Sequence, residues 1–204
     1  MSNVRFRDII KSGNMNRATL PERVLLMPDL HAGETGRLCE HWTDGGESRP
    51  PMHWRIILDN LRRVADRTFD PLIIFVGNLG LPAEIRASGG LKDIHGTKIL
   101  IPSNADIANG GRDFKRYTAL GINYVTDMVT IDNGGLPVVI TYEPACPLPS
   151  SYIGNVHGAF HSNACYDEDW PGWEFYGRHQ LVYSDESLAP TRLSSIGRFE
   201  LLRA

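Results

Sequence analysis

Residues 23–31 read Arg-Val-Leu-Leu-Met-Pro-Asp-Leu-His, an apolar run that ends in a polar Asp-x-His segment. Consecutive apolar side chains without polar alternation predict a strand that is buried on both faces. Asp29 and His31 follow the carboxyl end of this strand, which is where open α/β sheets place their ligand sites. We therefore expect both residues to belong to a functional site.

The same pattern recurs twice further along the chain. Leu72–Val76 is a second apolar run and ends in Gly77-Asn78, and Lys98–Ile101 is a third and ends just before Pro102-Ser103-Asn104. Between these runs, Met52–Arg67 repeats apolar residues at the spacing of an amphipathic helix, and Pro82–Ala87 is compatible with a short helix. This half of the chain is predicted to alternate strand and helix.

The second half is predicted to contain mostly strands. An Asn-Gly pair at Asn133-Gly134 is typical of a hairpin turn between two strands. The predicted elements are a helical stretch over Asp106–Leu120, broken near Gly110-Gly111, and strands over Ile122–Ile131, Leu136–Tyr142, Tyr152–His157 and Gln180–Tyr183. Strand-helix alternation followed by successive strands predicts an α/β fold, a β-sandwich of two mixed sheets flanked by helices.

Composition indicates one ordinary globular domain. A chain of 204 residues can bury one sizeable core, so we expect an N-terminal arm over residues 1–20 and a single domain over 21–204. A net charge of −3 provides no general attraction to nucleic acid or to an anionic membrane surface. Cys39, Cys146 and Cys165 form no CxxC pair. No apolar run is as long as the core of a signal peptide at the start of the chain or as a membrane span elsewhere. We expect a cytoplasmic protein with reduced thiols.

Five short segments, each after a predicted strand, resemble the ordered motifs of the calcineurin-like metallophosphoesterase family, in particular its small bacterial and phage members. That family carries Asp-x-His, Gly-Asp, Gly-Asn-His-Asp/Glu, a single His and Gly-His-x-His. The matching segments here are Asp29-Leu30-His31, Gly77-Asn78-Leu79-Gly80, Ser103-Asn104-Ala105-Asp106, Thr141-Tyr142-Glu143-Pro144 and His157-Gly158-Ala159-Phe160-His161. The resemblance covers nearly the whole chain and implies the family's β-sandwich fold.

The resemblance also implies a role for each matching residue. Asp29, His31 and His161 match ligands of the first metal, and Asn104 matches the asparagine ligand of the second. Asn78 stands where the family has a bridging aspartate, and a neutral amide holds two close cations poorly. The position of the general acid is Ala105, while Tyr142 and Ala159 occupy the positions of two histidine ligands. The second metal is therefore not expected to bind.

The first metal position leaves two interpretations open. Two imidazoles and a carboxylate can bind one transition metal, so one interpretation is a single weakly held Mn, Fe or Zn ion at Asp29, His31, Asn78 and His161. Alternatively, Asp29 and His31 are polar residues at a strand end that are satisfied by hydrogen bonds, and no metal is bound. Restoring the carboxylate with Asn78→Asp is predicted to raise metal affinity more than turnover.

Three functions are compatible with these residues. The preferred one is a catalytically inactive homologue that serves as a binding or interaction protein, because the general acid and the second metal are lost. The second is an active one-metal phosphomonoesterase or phosphodiesterase with Tyr142 or His157 as the proton donor. The third is sequestration of a nucleotide-like ligand without hydrolysis. The expected partner is thus a protein or a small phosphate-containing ligand.

Overall fold

Two β-sheets form the centre of the structure, a computed structural model. It describes residues 21–34, 52–108, 114–131, 137–143, 148, 150–158, 179–181 and 189–196. The first sheet has the strand order β4-β3-β2-β1-β9, in which β1 to β4 run parallel and β9 is antiparallel to β1. Its strands are β1 (Val24–Pro28), β2 (Leu72–Val76), β3 (Thr97–Ile101), β4 (Tyr124–Val125) and β9 (Thr191–Arg192).

The second sheet is also mixed and has the order β5-β6-β7-β8. Its first two strands are antiparallel, as the predicted hairpin requires, and the other two pairs are parallel. The hairpin turn itself lies outside the described residues. The strands are β5 (Met128–Ile131), β6 (Val138–Thr141), β7 (Gly154–His157) and β8 (His179–Leu181).

The first sheet is buried on both faces, as its uninterrupted apolar runs predict. Leu26, Ile74 and Val76 face the second sheet and pack against residues such as Val129 and Val156. The alternating residues point to the other side, where they pack against helices. The result is an α/β fold with two mixed sheets packed face to face, which confirms this part of the prediction.

Helices cover the outer face of the first sheet. The longest, α1, contributes Trp54, Ile57, Leu58 and Leu61 to the core, and each of these residues is almost fully buried. This spacing is the amphipathic stripe expected from the sequence. The four α-helices in the described part of the chain are α1 (His53–Asp66), α2 (Pro82–Ala87), α3 (Asn104–Ala108) and α4 (Phe114–Leu120).

One predicted strand is in fact two. The expected continuous strand over Ile122–Ile131 is wrong, because β4 pairs with β3 in the first sheet and β5 pairs with β6 in the second. The chain changes sheets between them. The backbone N–H of Thr126 donates to the Leu100 carbonyl at 3.0 Å, and its hydroxyl donates to the Met128 carbonyl at 3.0 Å. These hydrogen bonds stabilise the crossover between the sheets.

The remaining predicted elements are close to the observed ones. The late strands begin and end within a few residues of the predicted bounds, and the helical stretch 106–120 contains α3 and α4, with residues 109–113 between them outside the described part. The arm over residues 1–20 and all three cysteines also lie outside it. No helix in the described ranges is long and apolar enough to cross a membrane.

Candidate functional site

The first three strands end at the same level, which brings their following loops together. Pro28 pairs with Val76, and Val76 pairs with Ile101, across the parallel ladder. The ladder continues one step beyond the strands, since the Asp29 N–H donates to the Val76 carbonyl at 3.1 Å. The segments that carry Asp29, Asn78 and Asn104 therefore leave from one edge of the sheet.

The Asp29-Leu30-His31 segment turns sharply over this edge. Asp29 and His31 have φ angles of 32° and 49°, in the left-handed region that is uncommon for residues other than glycine. Leu30 between them is buried in the helix-side core, and the His31 N–H donates to the Asn78 carbonyl at 3.1 Å. Strained backbone of this kind is concentrated at functional sites. Tertiary contacts thus hold both side chains over the strand ends.

Asn78 connects the first two loops through both its backbone and its side chain. Its backbone N–H donates to Asp29 Oδ1 at 2.9 Å. Its side-chain Oδ1 accepts from the Gly80 N–H at 2.7 Å, which places Nδ2 on the opposite side, 3.0 Å from His31 Nδ1. Because a backbone N–H can only donate, the Gly80 contact determines which way the amide faces. The side-chain oxygen Oδ1 of Asn78 is therefore directed away from the His31 imidazole.

Glu34 is a member of this site that the sequence patterns did not identify. Its Oε2 lies 2.6 Å from His31 Nδ1, and Asn78 Nδ2 donates to both carboxylate oxygens, at 3.2 Å and 3.0 Å. The carboxylate thus accepts from two neighbouring side chains. The only local signal is an acidic residue three positions after His31. A carboxylate that accepts from one ring nitrogen is a common way of orienting a histidine whose other ring nitrogen binds a metal.

Tyr142 reaches the same place from the second sheet. A Cβ atom placed on Gly77 would lie 2.4 Å from Asp29 Oδ1 and 2.6 Å from Tyr142 Cε2, so the ring and the carboxylate both press against this glycine. Burial, together with the charges of Asp29, Asp106 and Glu143, raises the pKa of Tyr142 above the ordinary phenol value of 10.0. Tyr142 is therefore a neutral, half-buried ring beside Asp29.

Asn104 and Asp106 lie in the first turn of α3, which follows β3. Asn104 is exposed, and its Nδ2 donates to Glu143 Oε1 at 3.3 Å. Asp106 forms a capping box at the start of α3, since Ser103 N–H donates to its Oδ2 at 2.9 Å while its own N–H donates to Ser103 Oγ at 3.1 Å. Its other oxygen accepts from the Leu79 N–H at 3.0 Å. The Ser-x-x-Asp pattern could have predicted this structural role.

The two histidines of the last motif are placed differently. His157 is fully buried in β7, one position after Val156, which faces the first sheet. Because side chains alternate along a strand, His157 lies on the outer face of the second sheet, away from Asp29. His161 and Ala159 lie outside the described residues. The strand-end site is therefore defined here as Asp29, His31, Glu34, Asn78, Asn104 and Tyr142.

The described residues do not fit a pair of metal ions. His31 Nε2 and Asp29 Oδ1 are 4.0 Å apart and could share one ion, but the Asn78 oxygen is turned to Gly80 and Asn104 contacts Glu143. Within the ranges that the structure describes, no group of three or more His, Cys, Asp or Glu side chains could hold a metal. Asp29 and His31 remain the candidate ligands of the first position.

Comparison with known proteins yields a structural similarity only. No protein-family model matches the chain, and no curated protein matches it significantly. Among solved structures, the protein of unknown function AQ665 from Aquifex aeolicus is similar, with a TM-score of 0.55 and 16% sequence identity. The match covers 82% of this chain and 93% of that chain. At this identity, the similarity concerns the fold alone.

Proposed function

We propose that the protein is a catalytically inactive relative of the calcineurin-like metallophosphoesterases and acts as a binding or interaction protein. The observation that carries this proposal is the orientation of Asn78, at the position of the family's bridging aspartate. Its oxygen accepts from Gly80 and its NH₂ group faces His31 and Glu34. An amide NH₂ is a donor and cannot ligate a cation.

The arrangement of the loops supports the proposed family relationship. Two mixed sheets packed face to face are what the motif resemblance implies. Asp29 and Asn78 touch, Tyr142 packs against the same glycine as Asp29, and Asn104 contacts the residue after Tyr142. Segments separated by more than a hundred residues in the chain thus meet at one edge, in the manner of a single ancestral site.

The described residues at the three candidate donor positions favour an inactive protein over a one-metal phosphoesterase. Ala105, at the position of the general acid, carries only a methyl group. Tyr142 has a pKa raised above 10.0 by burial and by neighbouring carboxylates, whereas an efficient general acid has a pKa near the working pH. His157 lies on the other face of its sheet. Neither alternative donor is well suited to protonate a leaving group.

The charges around the site favour a protein partner over a nucleotide-like ligand. Asp29, Glu34 and Glu143 contribute carboxylates to the site or its rim. Without metal ions to compensate them, these charges repel a phosphate group. A partner that presents neutral or cationic side chains would meet no such repulsion. We therefore propose a protein partner.

The test of inactivity is hydrolysis of aryl phosphate mono- and diesters by the purified protein with manganese, nickel or zinc. We expect no turnover above that of the variant Asp29→Asn, which serves as the control for contaminating phosphatases. Turnover at an enzyme-like rate of about 1–10³ s⁻¹ that is lost in His161→Ala would contradict the proposal and support the one-metal alternative.

A separate measurement addresses the ligand. Equilibrium dialysis of the metal-free protein against ATP and AMP should show no binding tighter than about 1 mM. Micromolar binding of a nucleotide that is recovered intact would instead support sequestration. The variant Glu34→Gln, with one carboxylate fewer, provides the matched control, because binding limited by repulsion should strengthen when this charge is removed.

A further inference from the structure

Glu34 and Asn78 contact each other at the centre of the strand-end site. The Glu34 carboxylate accepts from Asn78 Nδ2 at 3.2 Å and 3.0 Å and lies 2.6 Å from His31 Nδ1. Since a carboxylate without a proton can only accept, His31 carries its proton on Nδ1 in this contact. His31 and Asn78 therefore both donate to one carboxylate.

Asn78 also joins the two acidic residues of the site. Its backbone N–H donates to Asp29 Oδ1 at 2.9 Å, while its side-chain Nδ2 donates to Glu34. In a metal centre a cation would hold such carboxylates together. Here a neutral residue with two donor groups does so by hydrogen bonds, and the Asn78 side chain is largely buried.

We propose that Glu34 and Asn78 are an interdependent pair that holds the strand-end site together without a metal, and that Glu34 determines whether position 78 tolerates a carboxylate. This inference rests on the proposed function in one respect, since it takes position 78 as the place of the lost bridging carboxylate. The site then carries one carboxylate next to Nδ1 of His31, at position 34 rather than at position 78.

The geometry makes the change Asn78→Asp unfavourable while Glu34 is present. The new carboxylate would keep the Gly80 hydrogen bond through one oxygen. Its other oxygen would lie where Nδ2 is now, about 3.0 Å from the Glu34 carboxylate. Two donated hydrogen bonds would be replaced by repulsion between like charges in a largely buried place, which is costly.

The combined change Glu34→Gln with Asn78→Asp should relieve this repulsion. The carboxylate at position 78 could accept from the Gly80 N–H, from His31 Nδ1–H, now 3.0 Å from Nδ2, and from the new amide at position 34. Every donor in the network keeps an acceptor. The carboxylate and the amide should therefore be able to exchange places between positions 34 and 78, although the single change at position 78 is not tolerated.

The experiment is a double-mutant cycle of thermal stability in the presence of EDTA, so that no metal contributes. We expect Asn78→Asp to lower Tm by roughly 4–8 °C. The variant Glu34→Gln should lose less, and the double variant should recover at least half of the loss seen in Asn78→Asp. The matched control is Asn78→Asp with Glu143→Gln, which has the same net charge but alters a rim carboxylate that contacts Asn104.

The outcomes separate cleanly. Recovery with Glu34→Gln but not with Glu143→Gln supports the pair, including the case in which Asn78→Asp alone does not fold and the double variant does. A wild-type Tm for Asn78→Asp, equal recovery in both double variants, or failure of both to fold would overturn it. Because the cycle measures stability without metal, it can fail while the protein is still inactive in hydrolysis, and the reverse also holds.

One consequence concerns repair of the site. The motif resemblance suggests restoring Asn78→Asp, Ala105→His, Tyr142→His and Ala159→His together. On the present inference, this set leaves Glu34 facing the new carboxylate at position 78. Repair should therefore include Glu34→Gln as well.

Discussion

At the scale of single residues, the strand-end site depends on backbone conformations that only tertiary contacts can maintain. Asp29 and His31 adopt positive φ angles, and Gly77 has a φ of +103°. Gly77 also allows the Asp29 carboxylate and the Tyr142 ring to approach the backbone closely. Asp29 accepts the Asn78 N–H at 2.9 Å, so the backbone turn and the side-chain network support each other.

We predict that Gly77→Ala destabilises the protein more than Gly89→Ala does. Both glycines have a positive φ, +103° and +93°, which costs an alanine about 1–3 kcal/mol. A Cβ on Gly77 would also meet Asp29 Oδ1 at 2.4 Å, whereas the nearest atom to one on Gly89 is 3.7 Å away. Urea unfolding of the two variants measures the difference, and equal losses would show that Asp29 and Tyr142 do not crowd Gly77.

At the scale of elements, the buried polar residues of β1 to β3 and of the segments that follow them lie at the carboxyl ends of the strands, with one exception. Lys98 in β3 is the exception, because it is buried near the opposite end of that strand, where its Nζ donates to the Gly96 carbonyl at 2.9 Å. Burial lowers the pKa of Lys98 below the ordinary value of 10.5. The folded protein therefore binds a proton at this position less tightly than the unfolded chain does.

This shift predicts a pH-dependent contribution to stability. Between the lowered pKa and 10.5, the unfolded chain binds more protons at Lys98 than the folded protein does, so this residue's contribution to stability rises with pH. The wild type should gain stability relative to Lys98→Met as the pH rises from about 7 to about 10. Urea unfolding across this range is the measurement. The exposed Lys92 provides the control Lys92→Met. The prediction would be contradicted if the difference in unfolding free energy from the wild type changed with pH equally in both variants.

At the scale of the whole molecule, two hydrophobic layers hold the sheets and helices together. The layer between the sheets contains Ile74, Val129, Ile140 and Val156, all almost fully buried. The helix-side layer is built around Phe75 and residues of α1. The strand-end site lies where β1, β2 and β3 leave these layers, so its geometry depends on the stacking of the two sheets.

We predict that Ile74→Ala lowers the free energy of unfolding by about 2–5 kcal/mol, because it leaves a cavity between two close-packed sheets. The control is Ile56→Ala on α1, since Ile56 is 51% exposed and should change stability by no more than about 0.5 kcal/mol. Denaturant titration followed by tryptophan fluorescence provides both values. Similar losses in the two variants would indicate that the sheets are not packed as described.

Much of the fold could be predicted from local patterns. The sequence identified β1, β2 and β3 as apolar runs, because a strand that is buried on both faces needs consecutive apolar residues. It identified α1 as a periodic stretch, because a helix that is buried along one stripe needs apolar residues at helical spacing. The division of the stretch 122–131 between two sheets was not, because Thr126 turns the chain through hydrogen bonds to Leu100 and Met128 that no local pattern records.

The same division applies to the strand-end site. By itself, the sequence determined that Asp29, Asn78, Asn104 and Tyr142 follow strands. The replacement of residues required for two-metal chemistry stays a prediction from the motif resemblance. Only the tertiary structure decided that the Asn78 side chain turns its oxygen to Gly80 and that Glu34, which lies outside every motif, accepts from both Asn78 and His31. The physical reason is that strand burial is encoded by residues adjacent in the sequence. The orientation of the Asn78 side-chain amide is instead set by hydrogen-bond partners that folding brings together.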